Sequence, residues 1–164
     1  MKHNGLSLVE LIAVMAIMSS LVAMGTLNFD RISRKYAIEG QTRALYAELM
    51  DLRLSALYKK KVRAATLTPT LFNSYSSLDK DNKPVGLISS KRLNWVIAPN
   101  AMVTTIRFDT HGLTSNLGSI CTEPSDNPAA LDSIIVSMTR INMGKLKSGS
   151  VCKKEIVKDD IDIR

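Results

Sequence analysis

The chain has 164 residues, which leaves room for one small domain beyond its apolar N-terminus. Its 22 lysines and arginines outnumber 15 aspartates and glutamates, and the net charge of +7 suits phosphate backbones or acidic partner surfaces without choosing between them. Two cysteines without CxxC or Cys/His spacing, and only two histidines, argue against a metal site.

The first predicted element is an apolar N-terminal helix. No residue from 11 to 29 is charged, and as helix this run spans about 28 Å, close to the thickness of a bilayer core. Glu10 stands at its start, and an ionised carboxylate within a bilayer costs on the order of 2.5 kcal/mol or more, so a partner is expected. One alternative is an ordinary secretory signal, because Lys2 precedes the apolar stretch, and another is a plain membrane anchor. Both leave Glu10 unexplained.

The residues "NGLSLVELIAVMAIM" resemble the class III signal of type IV pilins and type II secretion pseudopilins. The resemblance implies that a prepilin peptidase cuts after Gly5 and methylates the new amine of Leu6. Glu10, the fifth residue of the mature chain, would neutralise that amine on an adjacent subunit. Leu6 replaces the commoner phenylalanine, and the stem lacks the proline that major pilins often carry.

This resemblance also implies an organisation and a location. Residues 1–5 would be the removed leader, 6–29 the transmembrane and filament-core helix, 30–60 an amphipathic helix half, and 61–164 a β-rich head. The protein would cross the bacterial inner membrane once, with a periplasmic head, and then enter a pilus or pseudopilus. Its partners would be the inner membrane, the prepilin peptidase, and other pilins or pseudopilins through the N-terminal helix.

Helical periodicity continues beyond the apolar run. A stripe with steps near three and four predicts one helix over about 6–60, weakest at Gly25 and Gly40, with its second half packed on a sheet. The stripe consists of Ile38, Thr42, Leu45, Leu49, Leu52 and Ala56. Together with the resemblance, this predicts an α+β, pilin-like fold: a long N-terminal helix, membrane stem plus amphipathic half, on a small, mainly antiparallel sheet.

After residue 63 the pattern changes to short β-rich pieces separated by turn residues. We predict strands at 64–71, 85–90, 94–97, 103–108 and 133–142. The closing residues "KDDIDIR" fit an edge strand or a frayed tail, and the tail is preferred. The basic run at 59–63 is most simply a helix C-terminus, where cations suit the helix dipole.

The series "ELMDLRLSALYKKKVRAATL", "IRFDTHG" and "IIVSMTRINMGKLKSG" is similar to GspH/FimT-type minor pilins. In some of these proteins a C-terminal G-Arg-x-Arg element binds DNA, and Gly144, Lys145 and Lys147 match it with lysine for arginine. Lysine lacks the planar fork of arginine, so binding would be weak, sequence-independent and sensitive to salt. Arg140, Lys153 and Lys154 are candidates for a wider patch; a solvated basic turn is the simpler interpretation.

Cys121 and Cys152 are candidates for a disulfide in an exported head, with two buried thiols as the alternative. His111 follows Asp109 in a predicted turn, where a surface role is commoner than general-base catalysis. No nucleophile signature, phosphate loop or metal cluster appears in the sequence, so we predict no enzymatic activity, no metal and no cofactor.

Three functional hypotheses follow. The first is a low-abundance subunit that assembles into the priming or tip complex of a type IV pilus or type II secretion pseudopilus. The alternative is a DNA-binding minor pilin for DNA uptake in natural transformation. A third is a secretion pseudopilin whose head contacts exported protein substrates.

Overall fold

A computed structural model of the chain describes residues 7–98, 104–152 and 160–163, without the side chains at 24 and 26–28. Its first element is α1, Leu8–Lys59, a single helix of 52 residues that continues through Gly25 and Gly40. At 1.5 Å per residue its length is about 78 Å. The backbone carbonyl of Ser7 accepts hydrogen bonds from the amides of Glu10 and Leu11, and α1 ends where Lys60 takes the left-handed conformation, with φ of 51°.

The predicted stripe along the second half of α1 is confirmed. All six of its residues, from Ile38 to Ala56, are buried, and Leu49 and Ala56 are completely inaccessible. The stripe buries about one residue per turn on a single face of the helix, and this burial holds the helix against the small head. Helical propensity alone contributes little to the stability of a helix in a protein. Over the part of the chain that the structure describes, no helix combines the length and hydropathy needed to cross a membrane.

The head contains two antiparallel sheets of four strands each, where the sequence predicted one small sheet. The first sheet has the order β3-β2-β1-β4, formed by β1 (Arg63–Leu67), β2 (Leu71–Leu78), β3 (Pro84–Arg92) and β4 (Thr105–Phe108). The second has the order β5-β6-β7-β8, formed by β5 (Gly118–Cys121), β6 (Ser133–Val136), β7 (Ile141–Leu146) and β8 (Ile161–Ile163). The coarse prediction of an α+β fold with an N-terminal helix on antiparallel strands is therefore confirmed.

One hydrophobic core joins the two sheets to the helix. Leucines of α1 pack with Phe72 and Phe108 from the first sheet and with Ile134 and Val136 from the second. Because α1 contacts β1 and β4 of the first sheet and β6 and β7 of the second, the helix packs against both sheets. Each sheet buries one face against it, which is the usual way that small α+β domains exclude water from their strands.

Several predicted strand boundaries were wrong for identifiable reasons. The predicted strand 64–71 is interrupted before Leu71, where β2 begins, and the predicted strand 133–142 is the hairpin of β6 and β7. The segment 94–97 forms only one isolated bridge, between Ile97 and Thr122. The end of the chain, predicted as a tail, forms β8, which pairs with the second half of β7.

Candidate functional site

The first candidate site is the N-terminal half of α1. Ten large apolar side chains between residues 8 and 22 are each about half to three quarters exposed, and they point in every direction around the helix: Leu8, Val9, Leu11, Ile12, Val14, Met15, Ile17, Met18, Leu21 and Val22. Successive residues of a helix are rotated by roughly 100°, so no face of this half is turned toward the head. Exposed apolar surface of this extent marks a site of contact with a partner or a membrane.

The polar groups of this half are few and local. The hydroxyls of Ser19 and Ser20 donate to the carbonyls of Ala16 and Ile17 within the helix. Such bonds leave no hydroxyl to be satisfied by water and are compatible with an apolar surrounding.

Glu10 lies in the first turn of α1, and its side chain is exposed. Within the described residues its carboxylate has no ion pair. The first turn carries the positive end of the helix dipole, which favours a carboxylate there by about 0.3–1 kcal/mol. Gly5 and Leu6, the predicted sites of cleavage and methylation, lie outside the described residues.

A second group of predicted residues is the basic segment at the end of β7. Lys145 does not present its charge to solvent, because its Nζ lies 2.6 Å from Oδ2 of Asp132 and 2.9 Å from the backbone oxygen of Asn127. The Asp132 side chain is only 1% exposed, and that of Lys145 is 23% exposed. A buried carboxylate that loses its cation is strongly destabilised. The prediction that Lys145 contacts DNA therefore conflicts with this internal ion pair.

The remaining cations do not form one patch with Lys145. Arg140 and Lys147 are both exposed, but they lie at opposite ends of β7, about 23 Å apart at 3.3 Å per residue. Lys153 and Lys154 lie outside the described residues. Of the two lysines in the "GKLK" element, both of which the structure describes, only Lys147 has its charge exposed to solvent.

Gly144 has a structural reason to be glycine. A Cβ added there would lie 2.6 Å from Cγ2 of Ile161 and 2.7 Å from the backbone oxygen of Asp162, both in β8. Real Cβ atoms essentially never come so close to other atoms. The close approach of β8 therefore explains this glycine without any role in nucleic-acid binding.

The two cysteines form a disulfide, Cys121–Cys152, with Cα atoms 6.1 Å apart. It joins the end of β5 to the segment that follows β7, and both cysteines belong to a small second core with Ile135, Leu146 and Ile161. Closing a loop with a sequence separation of 31 residues stabilises the fold by about 3–4 kcal/mol on the chain-entropy model.

His111 lies in an exposed turn, as the sequence predicted. Oδ1 of Asp109 accepts hydrogen bonds of 2.8 Å from the amides of Leu113 and His111. These amides, Leu113 first, lower the pKa of Asp109, and the nearby His111 side chain adds a smaller effect. The arrangement closes a turn and offers no buried base or nucleophile. Among the described residues, no cluster of metal-ligating side chains is found.

Sequence reasoning missed the polar residues that attach α1 to the loops of the head. Glu39 accepts a hydrogen bond from the amide of Ala130, and Gln41 exchanges two hydrogen bonds with the backbone of Trp95. Further along α1, Arg53 donates to the carbonyl of Gly112. Periodicity does not distinguish these residues from the other polar residues of an amphipathic helix, and their position beside the buried stripe is the only sequence signal that could have found them.

Asp132 was also missed. It accepts hydrogen bonds from Lys145, Asn127, the Ser133 hydroxyl and the Leu146 amide. The available signal was an acidic residue immediately before "SIIV", a strand in which every residue is buried. A charge at the edge of such a strand needs partners.

No protein-family model, no curated protein and no solved structure is significantly similar to this chain.

Proposed function

We propose that the chain is a minor pilin or pseudopilin subunit that is processed by a prepilin peptidase and assembled into the priming or tip complex of a type IV pilus or type II secretion pseudopilus. One observation carries this proposal. A single continuous helix has one half fixed to the head by a buried stripe, while its other half exposes apolar side chains in all directions.

The division of α1 fits a subunit that lives in two surroundings. In the proposed precursor state the exposed half, with residues 6–29, lies in the inner membrane and the head lies in the periplasm. In the proposed assembled state the same half packs among the equivalent helices of neighbouring subunits. Apolar side chains on every face suit both states, since lipid tails and neighbouring stems are both apolar.

Glu10 gives this assembly its register. Cleavage after Gly5 creates a positive amine at Leu6, and a Glu10 carboxylate from a neighbour neutralises it within the stem bundle. Loss of one member of a buried ion pair typically costs about 3–5 kcal/mol, because it leaves the other charge unpaired. The absence of any ion pair for Glu10 among the described residues leaves its carboxylate available for this role.

The test is the variant Glu10→Gln, which keeps the side-chain size and removes the charge. We expect normal insertion and leader cleavage but at least a tenfold lower amount of the subunit in sheared filaments or in crosslinked priming complexes. A loss of about 1.4 kcal/mol of assembly free energy already lowers an equilibrium constant tenfold, and the loss of the ion pair is expected to exceed this. Asp51→Asn, an exposed acidic position on the head half of α1, is the matched control. Normal incorporation of Glu10→Gln would contradict the charge-pair account.

The alternative is a DNA-binding minor pilin for DNA uptake. The net charge of +7 and the exposed Lys147 and Arg140 favour it. If DNA binds there, Lys147→Ala should reduce the salt dependence of binding by about one unit of slope per lost phosphate contact. Lys145→Ala is the informative comparison, because Lys145 is paired with Asp132 inside the protein. If this variant also changed the dependence of DNA affinity on salt, the segment would have to rearrange when DNA binds.

A further inference from the structure

The cluster of Lys145, Asn127 and Asp132 contains the parts of an amide-forming reaction centre. The Nζ atom of Lys145 lies 3.2 Å from Oδ1 of the Asn127 side chain and 2.6 Å from Oδ2 of Asp132. Oδ2 of Asp132 also lies 3.1 Å from Nδ2 of Asn127. One buried carboxylate oxygen therefore contacts both an amine and the nitrogen of a carboxamide.

From this geometry we propose that Lys145 and Asn127 form an intramolecular isopeptide bond, with Asp132 transferring the proton. The cluster is independent of the filament role proposed above, since it lies wholly within the head. Each of its three members has a chemical role that its position supports.

Lys145 is the nucleophile. Its ammonium passes a proton to Asp132, and the freed nitrogen lone pair attacks Cγ of Asn127. The hydrogen bond from Nζ to Oδ1 holds the amine against the carboxamide, and groups kept in contact in a fixed orientation can gain effective molarities of about 10⁵ M or more over free groups in solution. A third contact, from Nζ to the backbone oxygen of Asn127 at 2.9 Å, fixes the amine beside the carboxamide.

The carboxamide of Asn127 is polarised for this attack. Its Oδ1 accepts a 3.0 Å hydrogen bond from the backbone amide of Ala129, in addition to the Lys145 contact. A backbone N–H aimed at the oxygen on which negative charge develops is the element of an oxyanion hole. The residue is 7% exposed, so competing hydrolysis by bulk water is restricted.

Asp132 completes the proton transfer. The new C–N bond forms between Nζ and Cγ, and the bond from Cγ to Nδ2 breaks. Asp132 donates the proton taken from Lys145 to the departing nitrogen, which leaves as ammonia. It then takes one of the two protons still on Nζ, so the new amide nitrogen keeps one hydrogen and Asp132 ends as a neutral carboxylic acid. The products are a secondary amide, ammonia and protonated Asp132, so the net charge of the three groups is zero before and after the reaction, no unpaired carboxylate is left buried, and no oxidant is required.

The surrounding contacts hold the three residues in place. Nδ2 of Asn127 donates to the carbonyl of Pro124 at 2.7 Å, and Glu39 from α1 holds the amide of Ala130 at 2.9 Å. The bond would tie the loop between β5 and β6 covalently to β7. With Cys121–Cys152 nearby in the chain, the second sheet would carry two covalent crosslinks.

The test is peptide mapping of the purified full chain after disulfide reduction and trypsin digestion. A bond at Lys145 blocks cleavage there, so we expect one species that joins peptide 108–140 to peptide 141–147, with a mass lower by one ammonia. This peptide distinguishes the bond from loss of ammonia at another asparagine. A wild-type chain that yields free peptides 108–140 and 141–145 would overturn the proposal, and this result depends on no variant's folding.

Two variants assign the roles. Lys145→Arg keeps a cation beside Asp132 but removes the amine, and Asp132→Asn removes the proton acceptor while keeping the side-chain shape. We expect both to give unlinked peptides. Linkage that persists at wild-type level in Asp132→Asn would overturn the role of Asp132, and a bond to Asp132 itself, seen as loss of water, would overturn the assignment to Asn127.

Discussion

Gly144 offers the sharpest test of how the end of the chain is built. In Gly144→Ala the new methyl group would lie 2.6 Å from Cγ2 of Ile161 and 2.7 Å from the backbone oxygen of Asp162. The first neighbour is a branched side chain that is 5% exposed, and the second is backbone, so neither can rotate out of the way. Strand β8 must therefore shift by several tenths of an ångström or detach.

Both outcomes have a similar magnitude. Forcing one extra methyl group into a packed site usually costs about 1–3 kcal/mol. If β8 detaches instead, the protein loses the burial of Ile161, which is worth about 1.5–3 kcal/mol for a fully buried side chain. We therefore expect Gly144→Ala to lower the free energy of unfolding by about 1–3 kcal/mol, from either cause.

The assay is urea unfolding of the purified full chain in detergent, followed by the fluorescence of Trp95, the single tryptophan. Hydrogen exchange at the Lys147 amide, which donates to Asp160, reports directly on the pairing of β8. Gly40→Ala is the matched control, because that position is helical and open, and alanine there should stabilise the helix by about 0.5–1 kcal/mol. If Gly144→Ala unfolds like the wild type, with unchanged exchange, the close approach of β8 is not what requires glycine.

Three further predictions concern the core, the crosslink and a turn. Leu49→Ala should lower the free energy of unfolding by about 2–5 kcal/mol, because it leaves a cavity at a completely buried position. Leu54→Ala, on the exposed side of the same helix, should lower it much less, and equal effects of the two variants would contradict the assigned stripe. Reduction, or a serine at both Cys121 and Cys152, should cost about 3–4 kcal/mol in denaturant unfolding, and an unchanged midpoint would show that the bridge constrains nothing. The folded-state pKa of Asp109 is lowered from 3.8, so the stabilisation that this carboxylate gives to the fold is present above pH 3.8 and is lost as pH falls through the lowered value. Asp109→Asn should therefore be less stable than the wild type at neutral pH, and the difference should vanish in acid. A carboxyl NMR titration of Asp109 with a midpoint at or above 3.8 would contradict this.

The sequence predicted the helix better than the sheets. A helix repeats every 3.6 residues, so the stripe from Ile38 to Ala56 can be recognised within one continuous segment. Strand boundaries depend instead on which distant segment supplies the hydrogen bonds. The last residues show this, since "IDI" becomes β8 by pairing with β7, where Gly144 leaves room for the close approach.

The candidate site divides in the same way. The apolar run and Glu10 are visible in consecutive residues, so their unusual combination could be recognised without a fold. The role of Lys145 could not, because the carboxylate that pairs with it, Asp132, lies 13 residues away and before the preceding strand. A lysine in a basic segment and a lysine in a buried ion pair look the same until the chain is folded.

The sequence by itself therefore determined the long helix, its apolar and amphipathic halves, and the stripe that faces the head, because each depends on periodicity within one segment. Only the tertiary structure decided that the head has two sheets that both contact the helix, that Gly144 is required by packing, and that Lys145 meets Asp132 and Asn127. These features depend on contacts between distant segments, whose partners a local pattern does not specify.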